Sequence, residues 1–405
     1  MISERRLGAS APDLRQHNRT QLLLALLAQG PMARTRLARA TGLASPTVFR
    51  LVEEMLQAGV LREEVGPPGG PRGIGRPASA VALEPRGAYV LCLFLGTVSA
   101  RLALADLRLG IVSRRRVALE GANAEERLRT AVRTLLEMAD EAGASRERLL
   151  GIGVGSSGVL DGDVLVLHPW LGWRDVPVGD IVASEGGLPV MVDGSVRATA
   201  LAEAWFGHGR ASGTLALLSV GSVVTSAVVV DRSLVRGRGL VEGQIGHLPA
   251  GGDHLCSCGR RGCIEVEARD QTLLAEAMAR HIAVSSSTTA DVYRRARVGS
   301  PTALALVAER GDAIARAVAV LEAVFDPGLV VLAGPAAVEG RDAQIRAILS
   351  ALDRHRVLPR IERPLRLLPS RFRTDAGVGG AAALVLQRFY QGRLALPGEA
   401  ARRSS

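Results

Sequence analysis

One stretch constrains this chain more than any other. Residues 243–263 read GQIGHLPAGGDHLCSCGRRGC, and they place three of the four cysteines within eight residues, in the pattern C-x-C-x4-C. Gly259 and Gly262 permit tight turns that bring Cys256, Cys258 and Cys263 to one point. Three thiolates and an imidazole are the donor set of a closed, tetrahedral zinc site, which is structural rather than catalytic. Both His247 and His254 qualify as the fourth ligand. His254 stands two residues before Cys256, where an extended chain aims alternate side chains the same way. A redox pair is the weaker reading, since no C-x-x-C occurs. A disulfide is disfavoured because the N-terminus, MISERRLGAS, carries charges without an apolar run behind them; no export signal is expected, and a cytoplasmic, reducing location is.

With 405 residues and 47% hydrophobic side chains, the chain has material for two or three cores. An uncharged run at 211–230, ASGTLALLSVGSVVTSAVVV, has nominal membrane-spanning length. Gly213, Gly221 and six hydroxyl residues interrupt it, so two buried strands are expected and no membrane association. The formal charge is +10, and every basic residue is arginine. Residues 1–86 hold twelve arginines against seven acidic residues, half of the excess in about a fifth of the chain. A polyanion partner is therefore sought there.

That segment divides into helices. A helix over 13–29 stops at Gly30 and Pro31, and a second over 33–41 ends at Gly42. Ser45 offers an N-cap and Pro46 a first helical residue for a third helix reaching about Ala58. VLREEV and ASAVALEP then read as strands flanking the loop GPPGGPRGIGRP. Three helices and a two-stranded wing make a winged helix-turn-helix, placed at 1–86 with its linker. Leu37, Leu43, Val48, Leu51, Val52 and Met55 supply its apolar face, and Ala38 is small where two helices cross. Arg34, Arg36, Ser45, Thr47, Phe49 and Arg50 are expected to meet base edges or phosphates, with Arg72 and Arg76 of the wing entering the minor groove. A bundle with solvated arginines and a linker in place of the wing is the plainer alternative. Turn and wing occurring together favour the DNA reader. Aromatic residues make up only 3%, too few for a single-strand stacking platform, so double-stranded DNA is the expected partner.

From Tyr89 the texture changes to alternating strands and helices, an α/β protein with two lobes. The expected lobes are 87–193 and 194–395, the second holding the zinc loop 247–265, followed by a disordered tail at 396–405. The cleft between lobes is the default ligand site.

At this point the residues carry a family likeness. EGQIGHLPAGGDHLCSCGRRGCIEVEA resembles the signature of the ROK family (repressors, open reading frames, kinases), G-E-x-G-H followed by C-x-C-G-x2-G-C-x-E. GIGVGSSGVLDGDVLVLHPWLGWRDVPV, ALAEAWFGHG and DPGLVVLAGPAAVEG resemble further family segments, so the likeness extends over nearly the whole chain. LARATGLASPTVFRLV followed by GRPA matches the regulator branch. The resemblance implies an actin-like ATPase (ribonuclease H-like) two-lobed domain behind the winged helix-turn-helix. It also implies a sugar in the cleft and a structural zinc on His247, Cys256, Cys258 and Cys263, which tips the choice of histidine to His247.

Departures from the family pattern bear on catalysis. Kinase members end the first strand in D-x-G-G-T; here the matching run is Phe94, Leu95, Gly96, Thr97, and phenylalanine cannot coordinate a hard cation. The second phosphate loop, G-T-G-x-G, reads Gly221, Ser222, Val223, Val224, Thr225. E-N-D-A-N-A-A-A-L-A-E reads DGSVRATALAE, so Gly194 replaces the asparagine and Ser195 the aspartate that serves as base. Serine has no useful basicity near neutral pH, so no kinase chemistry and no ATP are expected. Gln244 takes the glutamate position of G-E-x-G-H and Trp170 the asparagine position of P-N-L-x-W, while His247 and Glu265 remain. Trp170, Gly194, Ser195, Gln244, His247 and Glu265 are the candidate ligand residues. Either they form a retuned pocket or the cleft is vestigial and filled by its own side chains. The expected protein is a DNA-binding regulator, a repressor acting as homodimer or homotetramer. A sugar kinase with a DNA-binding extension and a ligand-independent DNA-binding protein are the alternatives.

Overall fold

The computed structural model describes residues 11–64, 79–97, 99–119, 123–237, 242–357 and 365–399. Continuous apolar runs, buried on both faces, form the central strands of two five-stranded sheets of one design. Taken from its antiparallel edge, the first sheet runs Ile111–Ala118, Ser99–Asp106, Tyr89–Leu95, then Leu149–Ser156 and Val190–Gly194 in parallel. The second runs Ser233–Leu234, Val224–Val230, Thr214–Val220, then Leu329–Ala333 and Leu367–Pro369 in parallel. In each, the chain order is third, second, first, fourth, fifth, which is the doubled topology expected of the actin-like ATPase fold. The uncharged run at 211–230 is the buried hairpin of the second sheet.

Two helices join the sheets. Helix Ser195–Phe206 packs on strands of both, and helix Ala376–Tyr390 lies along it and returns to cover the first sheet. The approach is close because glycines face it. A β-carbon on Gly153 would lie 1.9 Å from the Ala381 carbonyl oxygen, and one on Gly380 would lie 2.8 Å from the Thr199 amide. The first sheet's other face is covered by helix Ala124–Glu141, whose Leu128, Val132, Leu135 and Met138 are buried at helical spacing.

The N-terminal module has helices Ala11–Gln29, Arg34–Thr41 and Ser45–Gln57, with strands Leu61–Glu64 and Ala80–Leu83. Leu37, Val48, Leu51, Val52 and Met55 are fully buried, each stabilising by roughly 1.5–3 kcal/mol. Gly42 makes the left-handed turn at φ 70°. The third helix starts one residue earlier than expected. Ala44 is the N-cap and makes no side-chain bond, so Ser45 is already helical and Pro46 follows inside the first turn. A short strand, Met32–Ala33, pairs with Ala80–Leu83 and extends the wing sheet to three strands, which the sequence reading missed. Another missed element is the small antiparallel sheet of Val159–Asp161, Val164–His168 and Trp173–Val176, which carries Trp170 at the cleft.

The winged module shares a core with the rest of the chain. Leu22, Leu23, Leu26 and Leu27 belong to one buried cluster with Leu107, Trp205, Phe206 and Tyr390. Leu396 and Glu399, expected in a disordered tail, instead pack back: Leu396 is buried and Glu399 pairs with Arg19 at 3.3 Å. Residues 400–405 of that expected tail lie outside the described residues. Among the described residues, no helix is long and apolar enough to cross a membrane.

Candidate ligand cleft, metal centre and DNA-reading surface

The cysteine loop is built by two isolated bridges, Pro249 to Cys263 and Leu255 to Arg261. Gly259 and Gly262 take φ of 86° and 64°, and a β-carbon on Gly262 would lie 2.1 Å from the Gly252 carbonyl oxygen. The turns expected of these glycines are thus present. The ligand atoms of His247, Cys256, Cys258 and Cys263 all lie within 4.8 Å of one another. Cys258 and Cys263 sulfurs are 3.6 Å apart, and the Cys256 sulfur is 3.5 Å from His247 Nδ1. A tetrahedral ion with bonds of about 2.3 Å to sulfur and about 2.0 Å to nitrogen has edges of roughly 3.5–3.8 Å, which these two distances match, so the four residues could hold a metal ion. His254 lies outside the set, because its Nδ1 is 2.8 Å from Glu267 and its Nε2 is 3.5 Å from Glu276. Backbone and side-chain N–H groups of Arg260 draw the Cys258 thiol down to about 6, while burial and the neighbouring thiols push that of Cys263 up to about 12. A bound dication favours all three as thiolates.

The loop positions two cleft residues. His247 ends the short turn Ile245–His247, and Cys263 leads directly into helix Ile264–Ala268, which carries Glu265. Glu265 is buried, and its Oε2 accepts from the Val224 amide at 3.2 Å, tying the loop to the second sheet.

Trp170, Gly194, Ser195, Gln244, His247 and Glu265 all line one cleft of about 840 Å3. Their convergence was expected; the contacts made at its two ends were not. At one end stands Phe94, the residue matched to the family's aspartate, and the strand's alternation turns it to the cleft while Leu93 faces the core under helix Ala124–Glu141. The Phe94 ring fills that corner. A β-carbon on Gly377 would lie 2.6 Å from it, and the Arg101 guanidinium stacks on it at 4.6 Å while donating to the Thr374 carbonyl at 2.6 Å. An apolar ring capped by a guanidinium thus stands where the family pattern has a carboxylate.

At the other end, Ser195 opens helix Ser195–Phe206, and Asp193 just before it is 3% exposed. Asp193 Oδ1 accepts from Arg197 Nε at 2.5 Å and Oδ2 from Arg236 Nη2 at 2.6 Å, and Arg197 Nη1 stands 2.9 Å from Glu242. Sequence reasoning missed this ladder. The Asp193–Arg197 pair has legible i,i+4 spacing, whereas Arg236 and Glu242 reach it only through the fold.

On the winged module, Arg36, Ser45, Phe49 and Arg50 are exposed and Thr47 is half-buried at the start of the third helix. Arg34 makes contacts that the sequence did not show. Its guanidinium lies 2.7 Å from Glu63 and 5.5 Å from the Phe49 ring centroid. Arg72 and Arg76 of the wing loop lie outside the described residues.

Comparison with known proteins agrees with this architecture. The ROK family profile matches residues 90–388, and that of the IclR helix-turn-helix domain matches residues 19–64. The xylose repressor of Caldicellulosiruptor bescii is 27% identical over 342 residues, covering 81% of this chain and 85% of the relative. Among solved structures, a ROK family transcriptional regulator described as a homologue of the E. coli MLC protein superposes with a TM-score of 0.79 at 23% identity. That match covers 94% of this chain and 97% of the other. The ROK hexokinase of Thermus thermophilus superposes with a TM-score of 0.64 at 28% identity, covering 74% of this chain and 99% of the hexokinase. The uncovered quarter of this chain corresponds in size to the added winged module.

Proposed function

Since the chain belongs to the ROK family and carries an IclR-type helix-turn-helix ahead of the ROK domain, we propose that it is a DNA-binding transcriptional repressor whose cleft senses a sugar or related metabolite without phosphorylating it. The observation that carries the reading is the pairing of a DNA-reading module with a ROK cleft altered at both catalytic ends. Phe94 under Arg101 fills the phosphate corner, and Ser195 stands where the base would be. Serine there supplies no proton acceptor.

In this reading Arg36, Ser45, Thr47, Phe49 and Arg50 face duplex DNA, Arg72 and Arg76 of the wing enter the minor groove, and two modules in a dimer or tetramer span two half-sites. A structural zinc on His247, Cys256, Cys258 and Cys263 supplies cross-linking and no redox chemistry. It holds the loop that presents His247 and Glu265. Ligand in the cleft shifts the spacing of the paired winged modules and so weakens operator binding without touching a base contact.

A genome-wide map of bound DNA in the host, checked in vitro across a salt series, tests the reading together with a coupled ATP assay. A sharp two-fold motif with no ATP turnover supports it. Diffuse binding that vanishes with salt removes the specific regulator. Sugar-dependent turnover that responds to Ser195 substitution establishes a kinase with a DNA-binding extension, the direction in which the likeness to the hexokinase points.

A further inference from the structure

Gly194 replaces a side chain of the family pattern, and Arg197 takes the space it leaves. A β-carbon at Gly194 would lie 3.1 Å from Arg197 Nη2 and 3.2 Å from its Cζ. The guanidinium therefore lies flat over the residue that precedes Ser195, lining the cleft with 22% of its side chain exposed. Its other nitrogens are committed, Nε to Asp193 and Nη1 to Glu242. Among the described residues, Nη2 has no partner.

This changes what the corner can recognise. The family's asparagine and aspartate offer acceptors, and the aspartate takes a proton; a guanidinium offers N–H donors and no acceptor. Charge also matters. Arg236, Asp193, Arg197 and Glu242 form a ladder of two cations and two anions, so the cleft corner carries no surplus positive charge. A ligand anion would meet an already neutralised guanidinium flanked by two carboxylates, with repulsion offsetting attraction.

We propose that Arg197 is the ligand-recognition residue of this cleft, donating from Nη2 to an acceptor oxygen of an uncharged polyhydroxy ligand and discriminating against acidic analogues. The inference rests on the sensor reading above and adds the residue and the charge class to it. Because Arg197 also pairs with Glu242, whose segment leads to Gln244 and His247, ligand contact at Nη2 is communicated to both sides of the cleft.

The test is calorimetric titration of the full-length zinc-loaded protein with D-xylose, D-glucose and D-glucuronate, on the unaltered chain and on Arg197→Lys and Arg197→Ala. Zinc content, Tm and duplex-DNA affinity are measured on the same preparations. Lysine keeps the charge beside Asp193 and loses the planar donor pair. At least one neutral aldose should bind, D-glucuronate should not, and Arg197→Lys should weaken the aldose about tenfold or more with zinc and Tm retained. If the ladder is only a brace, Arg197→Lys changes Tm and leaves affinity alone, which overturns the proposal. Tighter binding of D-glucuronate overturns the charge class. Failure of all three probes on the unaltered chain also overturns the inference, while DNA affinity in the same samples decides separately whether the regulator reading stands.

Discussion

Arg210 of the ROK domain donates from Nη2 to the carbonyls of Leu27 and Ala28, the latter at 3.2 Å, and so caps the first helix of the winged module. The last carbonyls of a helix have no partner within it and carry partial negative charge, so a guanidinium suits them. Arg210 follows directly on helix Ser195–Phe206, whose other end opens into the cleft. At 12 residues that helix spans about 18 Å, one rigid element between ligand cleft and DNA reader.

Arg210→Ala should cost about 1.5 kcal/mol of stability, the charge-assisted contacts to the helix end being lost. The loss should be local. Hydrogen exchange should quicken at the Leu26–Gly30 amides of the first helix's last turn and stay unchanged in helix Ser195–Phe206; uniform protection across both would refute the coupling.

Cys258→Ser should abolish zinc retention, taking metal content from about one per chain to near zero. Protons compete with a metal for the three thiolates and the imidazole, so retention should weaken as pH falls and strengthen as it rises. Metal analysis after dialysis at several pH values checks both statements.

Arg50→Ala and Arg34→Ala should behave differently on DNA. Arg50 is exposed, so its loss should lower the salt slope of duplex binding by about one unit. Arg34 is paired with Glu63 and stacked on Phe49, so its loss should cost roughly 1 kcal/mol of stability and leave the slope unchanged. Salt titrations on both variants, with urea melts beside them, separate the cases.

Phe94→Ala should destabilise the protein by about 3 kcal/mol, since the ring is buried against Gly377 and Arg101. Ser195→Asp restores a carboxylate beside the cleft but leaves Phe94 in the phosphate corner. ATP turnover should stay at background in that variant, and a measurable rate would show that the corner opens.

Sequence alone determined the features that depend on local chemistry and short spacing. The buried face from Leu37 to Met55, the turn at Gly42, and the three cysteines with their glycine turns follow from helical period, φ preference and ligand type, which neighbouring residues suffice to set. Short apolar runs bounded by glycines and hydroxyl residues likewise revealed the strands at 89–95 and 214–230. What tertiary structure decided are the choices between equivalent local options. Both histidines were open by spacing, and only the distant carboxylates Glu267 and Glu276 hold His254 away from the metal set. Arg34 and Arg50 look alike in the chain, yet Glu63 across the wing engages Arg34, while Arg50 stays exposed. Arg197 becomes a cleft residue because Gly194 yields space and because Glu242 and Arg236 arrive from the second sheet. A charged side chain's role depends on which counter-charge reaches it, and the folded path of the whole chain sets that distance.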